Sequence, residues 1–518
     1  MCSMQQRLVA ISAISLLLAS CAAGPNYKRP PVPAADGYSP TPLTSSTASA
    51  PGVAGAAQNI GVASEVSAQW WTLFESPALN QLIERAFSAN PTIEAALAAL
   101  EQAQQDVYAQ RGFFYPTLSA SYAASRTKLS GNTAASTAPG IQGNGENLTP
   151  PGPAQPLTYT FHTAQLTVGF LPDVFGLNRR QVESLQAQAH AVRFQLEAAY
   201  VTLAANVAAA AIQEAATRAQ LAAINSIIDS TSQSLEILRA QLRLGYVMRL
   251  DVLAQESALA QAKEQLPPLE RQLEQTRDLL RMLVGNPPDQ DIPQTFELSD
   301  LHLPEDLPLS LPSKLIEQRP DVRAAEEQVH NASAQLGVAV ANRLPQFPIS
   351  GNLGGNATQF SQMFSGAGTF WDIIGSVSQP IFAGGTLHHR QIAAEAGLRE
   401  ATAEYRLTVL QAFQNVADTL HALYSDADAV AAATTAERTA KATLDLTQSQ
   451  LRAGYVSYLA LLSAQEAYQQ AAIGLVQAQA TRFGDTAALF EALGGGWWNR
   501  PRLTSATNVS APGQPAAE

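Results

Sequence analysis

Few side chains in this sequence have the types and spacing that metal binding or catalysis needs. Glu327 and His330 form a Glu-x-x-His pair, a spacing used in di-iron proteins, but such sites need the motif twice with additional glutamates. A solvated pair on one helix is therefore favoured. His388 and His389 are adjacent, so on a helix their side chains point in different directions, and a rim or turn role is favoured over metal ligation.

The glycine-rich stretches do not predict a nucleotide site either. GGGWW and IFAGG both lack the lysine of a phosphate-binding loop. No nucleophile stands beside a general base in a recognisable pattern. The sequence therefore predicts a protein that is not an enzyme and that holds no metal and no cofactor.

Covalent chemistry is predicted at one residue, Cys21. It follows a segment with Arg7 near its start and an apolar core over residues 8–19. This core has the size of a signal-peptide core and is too short to span a bilayer. Residues 1–20 are therefore interpreted as a signal peptide that is removed from the mature protein.

The three residues before the cysteine suggest what the thiol does. Leu18-Ala19-Ser20 places Cys21 first in the mature chain, an arrangement similar to the site that the bacterial lipoprotein machinery acylates. The alternative is a buried or stray cysteine after an ordinary signal. Cys2 leaves with the signal, so no internal disulfide is expected. Stable anchoring needs more than one acyl chain, which a triacylated, palmitate-bearing head would supply, and Ala22 in place of aspartate favours the outer membrane.

Composition narrows the class of protein and its partners. Charged residues make up 14% of the chain, against about 25% in typical soluble domains. The net charge of −12 argues against nucleic acid as a partner. After the signal we find no stretch of about 18 apolar residues, so membrane-spanning helices are not expected. If the mature chain crosses a membrane, it must do so as a β-barrel.

The elements begin after an irregular segment. Residues 21–68 are rich in Pro, Ser, Thr, Ala and Gly and are predicted to form an extended tether that carries the acyl group. Ser76-Pro77 and Asn90-Pro91 each predict a helix start. Pro267-Pro268 predicts a break between two helical segments, and residues 498–518 are interpreted as a disordered tail.

Two stretches carry apolar residues at alternating steps of three and four, which is heptad spacing. We call these residues the apolar seam. Its members are Val182, Leu185, Ala189, Val192, Leu196, Ala199 and Leu203, then Leu221, Ile224, Ile228, Thr231, Leu235, Leu238 and Leu242. The pattern predicts helices of about 40 residues, or roughly 60 Å, in a coiled coil or in an ordinary amphipathic bundle.

Four segments alternate with period two and are predicted strands of about the length that a tilted outer-membrane strand needs. They cover about residues 113–126, 157–171, 346–357 and 370–382. In the second, Tyr159 and Phe161 are out of phase with Leu166, Val168 and Phe170, and a bulge would reconcile them. The alternative is a small soluble sheet. Four strands cannot close a membrane barrel, since single-chain barrels need about eight or more, so transmembrane strands would require several chains to share one barrel.

The chain also repeats itself. QLRLGYV at residues 241–247 recurs as QLRAGYV at residues 450–456, an offset of 209, whereas Pro91 and Pro116 recur at an offset of 229. The extra residues are assigned to the Gly/Asn/Thr/Pro segment at 130–153, interpreted as an external loop. The sequence therefore predicts two repeats, 69–295 and 296–497, each with helices, two strands and long helices.

Six stretches, taken in order, resemble one known family. They are CAAGPNYKRP, WWTLFESPALNQLIERAFSANP, LPDVFGLNRRQ, SQPIFAGG, LRAGYVSYLALLSAQEA and ALGGGW. Together they are similar to the outer membrane factor family, specifically the lipoprotein channels of resistance-nodulation-division (RND) efflux systems, which are OprM/NodT-like and more distantly TolC-like. The resemblance covers about residues 21–497.

The resemblance implies a fold and a function. The fold is an α+β membrane protein: a homotrimer, with four strands per chain in a shared twelve-stranded transmembrane β-barrel and a long antiparallel α-helical barrel in the periplasm. The function is a passive exit duct for drugs or other small toxic compounds, which a periplasmic adaptor and an inner-membrane RND-type pump deliver. A type I protein-secretion channel, or a lipid-anchored periplasmic scaffold without a pore, remains as an alternative.

Two matching tripeptides are expected at the periplasmic tips. Gly245-Tyr246-Val247 and Gly454-Tyr455-Val456 stand where one long helix turns into the next, and the resemblance implies that these tips contact the adaptor.

The resemblance also implies a constriction just after the second tip. Ala460 and Ser463 stand where TolC-like members have aspartates, and OprM-like channels keep the second of these. Leu459 takes the apolar position, and a ring of leucines can close a narrow pore by excluding water. We therefore expect Leu459 to hold the aperture shut, with Arg452 and Asp251 available for polar contacts.

Overall fold

The long segments of this protein are helical. In a computed structural model, the residues described are 22–33, 35, 37–40, 44–62, 65–129 and 157–500. The helices are α1 Pro77–Ala89, α2 Pro91–Arg111, α3 Leu177–Arg243, α4 Arg249–Glu264, α5 Leu266–Leu283, α6 Pro312–Gln318, α7 Pro320–Ala341, α8 Thr386–Arg452 and α9 Tyr458–Ala492. The strands are β1 Asn59–Val62, β2 Thr117–Leu129, β3 Leu157–Phe170, β4 Asp306–Leu309, β5 Ile349–Ala357 and β6 Thr369–Gly375.

Helix boundaries follow the residues that satisfy free backbone groups. Ser76 caps α1, and its hydroxyl accepts a hydrogen bond from the amide of Leu79 at 3.4 Å. Asn90 precedes α2, and its side-chain oxygen accepts from the amide of Thr92 at 2.8 Å. Proline fits at the first position of each helix because the amide it lacks has no partner there. Gln265 separates α4 from α5, so the break predicted from Pro267-Pro268 is confirmed, two residues early.

The two longest helices, α3 and α8, contain 67 residues each, about 100 Å at 1.5 Å per residue. The prediction of about 40 residues was therefore wrong. The apolar seam is correct: every one of its residues on α3 is buried or half-buried. The apolar seam does not include the alanine-rich part of α3 between its two stretches. The buried residues there include Ala204, Val207, Ala208, Ala211 and Ala215.

This alanine-rich part corrects a second expectation. Helix α3 contains an 18-residue window whose mean hydropathy is 1.2, enough by length and composition to cross a membrane, although 56% of that window is buried inside the protein. A core helix gives the same signal. The composition of α3 therefore does not exclude a membrane span, although the sequence was expected to exclude one. Burial of this window inside the protein explains its apolar composition without a membrane span.

Four of the strands form one antiparallel sheet in the order β2-β3-β5-β6. Thr117 pairs with Gly169 and Leu129 with Leu157 in an uninterrupted register, and His162 to Phe170 pair with Ala357 to Ile349 in the same way. The bulge suggested for the second strand is therefore wrong. Tyr159 and Phe161 simply lie on the opposite face from Leu166. The last strand ends at Gly375, seven residues before the predicted end.

The irregular N-terminal segment is held to the protein at several points. The hydroxyl of Tyr38 donates to the carbonyl of Ser310 at 2.8 Å, and β1 pairs in parallel with β4. Arg482, fully buried on α9, donates to the carbonyls of Ala54 at 2.7 Å and Ala56 at 2.8 Å. These hydrogen bonds hold the described part of the predicted extended tether against the rest of its unit.

The chain forms two compact units. Within the described residues, one comprises the chain up to Lys28, Ala103–Gln188 and Val329–Glu400, and the other Arg29–Gln102, Ala189–Gln328 and the chain from Ala401. The first contains the four-stranded sheet. The core of the second includes Trp70, whose ring stacks on Phe490 at 5.3 Å and meets Phe74 edge-on at 6.3 Å. All three residues are fully buried.

Candidate functional site

The first predicted tip is a tight turn between α3 and α4. Gly245 has a φ of +81°, a left-handed conformation that glycine adopts without steric cost. The amide of Tyr246 donates to the carbonyl of Gln241 at 3.0 Å, closing the end of α3. Asp251 then caps α4, because its carboxylate accepts from the amide of Met248 at 3.0 Å.

The second tip, between α8 and α9, repeats this turn. Gly454 has a φ of +76°, and the amide of Tyr455 donates to the carbonyl of Gln450 at 2.9 Å. The start of α9 differs, since Ala460 stands 209 residues after Asp251 and has no carboxylate to cap the helix. Tyr246 and Tyr455 are both strongly exposed, at 79% and 83%, so each turn presents an aromatic ring to solvent.

The two tips share one cavity of about 730 Å³. Of the predicted site residues, the structure brings these around it: Gly245, Tyr246, Val247, Asp251, Arg452, Gly454 and Val456. Tyr455, Leu459, Ala460 and Ser463 are not among its lining residues. The cavity therefore brings most of the predicted tip residues together with two predicted aperture residues, Asp251 and Arg452, whereas the other three aperture residues do not line it.

The other three predicted aperture residues are exposed on α9. Leu459 is 68% exposed, and Ala460 and Ser463 are also exposed. Leu459 and Ser463 are four residues apart on the helix and so share one face. In a single chain, this exposed face carries an apolar side chain and a hydroxyl. Neither position is an aspartate.

A hydrogen-bonded chain fixes α9 against α4 and α3 just behind the tips. The hydroxyl of Tyr458 hydrogen-bonds to the amide oxygen of Gln255, and the amide nitrogen of Gln255 donates to the carbonyl of Thr231 at 3.0 Å. All three residues are buried, and burial, followed by the charge of Asp251, raises the pKa of Tyr458 above its ordinary value. Sequence patterns gave no sign of this cross-helix pairing, because its partners are remote in the chain.

The four-stranded sheet has two chemically different faces. Directly paired residues share a face, so the register places one group of apolar side chains together: Leu118, Tyr122, Leu166, Val168, Leu353, Trp371 and Ile373. Each is exposed by between 43% and 75%. On the other face the hydroxyl of Thr167 hydrogen-bonds to Asn352 at 2.7 Å, and Asn352 donates to Asp372 at 2.9 Å. The face with Leu166 is thus mainly apolar. The opposite face carries this polar network but also the rings of Tyr159, Phe161 and Phe370.

Sequence reasoning missed a set of contacts that we call the N-terminal clasp: residues Ala22–Tyr27 with the side chains that hold them. Arg180 donates to the carbonyl of Ala23 at 3.1 Å and to the amide oxygen of Asn26 at 2.8 Å. A β-carbon placed on Gly24 would lie 2.6 Å from the Cα of Gly337, so only glycine allows this approach. The Gly-Pro-Asn-Tyr stretch was the available signal. Cys21 itself lies outside the described residues.

The histidines singled out for metal chemistry have other contacts. His330 stacks on Tyr27 with ring centroids 4.3 Å apart, and its Nε2 lies 3.1 Å from a carboxylate oxygen of Glu183. The carboxylate of Glu327 lies 3.7 Å from His190. His388 and His389 are exposed in the first turn of α8. In the described part of the chain, no three His, Cys, Asp or Glu side chains are grouped to hold a metal ion.

Comparisons with known proteins agree with this architecture. A family profile described as "Outer membrane efflux protein" matches residues 82–286 and 311–495. The pyoverdine export outer membrane protein OpmQ of Pseudomonas putida is 28% identical over 429 residues, which cover 83% of this chain and 88% of that protein. Outer membrane protein OprJ of Pseudomonas aeruginosa is 26% identical over 490 residues, covering 93% and 95%. The solved outer-membrane channel OprN superposes with a TM-score of 0.79 at 25% identity, covering 92% of this chain and 100% of that one.

Proposed function

The chain belongs to the outer membrane efflux protein family, and from this premise we propose that it is the outer-membrane channel of a tripartite efflux system. Members of this family are transport proteins of the Gram-negative outer membrane that extend into the periplasm, and this chain has that location. In the proposed role it performs no reaction. It gives drugs or other small toxic compounds a passive route outward after a periplasmic adaptor and an inner-membrane RND-type pump deliver them.

The observation that carries the proposal is the sheet with a mainly apolar face on one side and, on the other, a polar network around Asn352. In a membrane, the apolar face meets lipid and the polar face lines a water-filled lumen. Within the described residues, β2 and β6 each pair on one side only. An unpaired edge in lipid leaves backbone groups unsatisfied at a cost of several kcal/mol each. Pairing the β2 edge of one chain with the β6 edge of the next removes this cost, and three chains would close a twelve-stranded barrel.

The long helices supply the periplasmic part of the proposed duct. Helices α3 and α8 have the same length, and their ends are offset by 209 residues, the offset of the repeated QLR-x-GYV motif. This agreement supports an internal two-fold repeat, with each half contributing one long helix and its return helices. Three chains would then place six such helix pairs around one tunnel.

The tips are the proposed contact with the adaptor and the proposed gate. The cavity shared by the two turns, with exposed Tyr246 beside it, supports docking of an adaptor there. Leu459, which is exposed and does not line that cavity, is the residue we propose to meet its copies at the three-fold axis and close the resting channel. Arg452 and Asp251 remain candidates for polar contacts that hold neighbouring tips together.

The proposed membrane attachment has two parts. The barrel is itself a membrane element, and acylation of Cys21 adds a lipid anchor after removal of residues 1–20. Ala22–Tyr27 are clasped to the unit that contains the sheet, which supports an anchor close to that unit. We therefore expect loss of acylation to weaken assembly more than it weakens transport.

The test combines a reconstituted and a cellular measurement. Purified protein in a planar bilayer should conduct ions, and expression in a strain deleted for its own efflux channel should restore resistance when a matching adaptor and pump are present. Absence of conductance would support a scaffold without a pore. Conductance combined with export of a polypeptide, but no drug resistance, would support a type I secretion channel instead.

A further inference from the structure

An apolar cavity lies beside the sheet in the first unit and has no role in the proposed channel. Its volume is about 660 Å³, within the range of about 300 to 1,000 Å³ typical of small-molecule sites. Aromatic and aliphatic side chains dominate its lining, among them Phe113, Tyr115, Phe170, Leu171 and Phe175. Phe113, Tyr115 and Leu171 are more than 40% exposed, so the cavity is open to an apolar guest.

The N-terminal clasp contacts the wall of this cavity. The amide of Ala23 donates to the carbonyl of Phe175, a lining residue, at 2.8 Å. A β-carbon on Gly176, which stands between lining residues Phe175 and Leu177, would lie 2.9 Å from the Cα of Ala22. Ala22 is bonded to Cys21, and consecutive Cα atoms are about 3.8 Å apart. An acyl group on Cys21 therefore starts within one peptide unit of the cavity wall.

A buried donor on a lining residue of the cavity bears on the chemistry of the guest. Asn178 lines the cavity and is only 9% exposed. Its side-chain oxygen accepts from Gln110 at 2.6 Å, but its amide nitrogen has no acceptor. A buried polar group without a partner costs free energy, so a guest that brings an acceptor is favoured. The ester carbonyl of a lipid supplies an acceptor at the start of an apolar chain.

We propose that this cavity binds one acyl chain of the lipid on Cys21, with an ester carbonyl accepting from Asn178. The proposal rests on the acylation of Cys21 that the proposed function includes. The clasp holds Ala22 and Ala23 at the cavity wall, and the aromatic side chains of the cavity cover the methylene groups of the acyl chain. One acyl chain is then held by the protein while the others enter the membrane.

The test uses the full-length protein from cells grown with a palmitate analogue that carries a photoreactive diazirine. After purification and illumination, mass spectrometry identifies the residues crosslinked to the acyl chain. We expect crosslinks at Leu171 and Phe175. Crosslinks confined to the apolar face of the sheet, at residues such as Leu118, or to lipid alone, would overturn the proposal.

Three variants test the crosslinks. Leu171→Gln removes an apolar contact in the cavity, Leu311→Gln makes the same change elsewhere, and Cys21→Ser removes the attachment point of the acyl chain. Leu171→Gln should lower cavity crosslinking about tenfold, the change that loss of contact with roughly two methylene groups would produce, whereas Leu311→Gln, at a similarly exposed leucine in the other unit, should not. In Cys21→Ser the cavity crosslinks should disappear. Their persistence would assign the cavity to membrane phospholipid and overturn the proposal.

The same samples separate this proposal from the proposed function. The mass of the N-terminal peptide reports whether Cys21 is acylated, and drug resistance of the cells reports transport. An unacylated but active chain would overturn the acyl site and leave the channel intact. A protein that is acylated and crosslinks in the cavity but does not transport would support the acyl site and overturn the proposed channel function.

Discussion

At the scale of single residues, Leu459 carries the proposed gate. It is exposed in the isolated chain, and a ring of leucines closes a narrow pore by excluding water. Leu459→Ala should widen this ring, raise the resting conductance severalfold and admit a large antibiotic such as vancomycin, while the yield of assembled protein stays the same. Planar-bilayer recording and antibiotic sensitivity measure the two effects.

A matched control exists in the first half of the chain. Leu250 stands 209 residues before Leu459 and is equally exposed, at 69%. Leu250→Ala should leave conductance and vancomycin entry unchanged. If Leu459→Ala behaves like the wild type, or if both variants open the channel equally, the gate does not depend on Leu459 in particular.

Ser463 provides a second residue-scale prediction. It lies one turn beyond Leu459 on the same exposed face of α9, so its three copies would lie near the proposed constriction. Ser463→Asp would create a ring of negative charge that attracts cations. The reversal potential in a salt gradient should shift toward that of the cation. Ser463→Asn has a similar size without the charge and should leave the reversal potential where it is in the wild type.

At the scale of elements, the chain from Tyr458 through Gln255 to Thr231 ties three helices together. Tyr458→Phe removes the hydroxyl and leaves the fully buried amide oxygen of Gln255 without a partner. Such a change costs about 1–3 kcal/mol of unfolding free energy. We expect the thermal midpoint in detergent to fall by a few degrees. Tyr455→Phe, at a ring that is 83% exposed, should change nothing, and equal midpoints for both variants would show that the buried bond adds no stability.

The pairing of α8 with α9 should depend on pH. Burial, and then the neighbouring Asp485, raise the pKa of Asp426 to about 7. Because this folded-state pKa lies above the ordinary carboxyl value of about 4, ionising Asp426 costs folding free energy. The cost is absent below that ordinary value and grows as pH rises to about 7, so the wild type should lose stability across this window.

The corresponding variant removes the titrating group. Asp426→Asn should raise stability at pH 8 by about 1–2 kcal/mol, a value discounted for partial exposure, and by less at pH 5. Asp428→Asn, at an exposed residue of the same helix, should have no such pH-dependent effect. Melting curves at the two pH values measure the difference. If Asp426→Asn changes stability equally at pH 5 and pH 8, ionisation of Asp426 is not the cause of the pH dependence.

How far the sequence predicts these elements depends on how local the signal is. Ser76-Pro77, Asn90-Pro91 and the apolar seam act within a few residues, and the structure agrees with them. The length of α3 was underestimated because its centre has alanine on both its buried and its exposed side, as at Ala208 and Ala209, so its apolar periodicity is weak. The N-terminal clasp was missed because Arg180 and Asn26 are 154 residues apart, and no pattern in one sequence marks such a pair.

At the scale of the whole molecule, the sheet predicts association. Its apolar face is exposed and its outer strands pair on one side only within the described residues. Native mass spectrometry of the protein in detergent should therefore show three chains. Dilution should not dissociate them, because separation would expose backbone groups at two strand edges per chain. A stable, pore-free monomer would contradict the shared barrel.

The equal length of α3 and α8 has an evolutionary consequence. One inserted residue lengthens a helix by about 1.5 Å and rotates the remainder of that helix by about 100°, which would move one tip away from its partner and turn the apolar seam out of contact. A compensating insertion in the other helix restores the height, and only whole heptads restore the facing of the side chains. We therefore expect homologous genes that serve a wider or narrower periplasm to differ by seven-residue steps, gained or lost in both halves of the gene together.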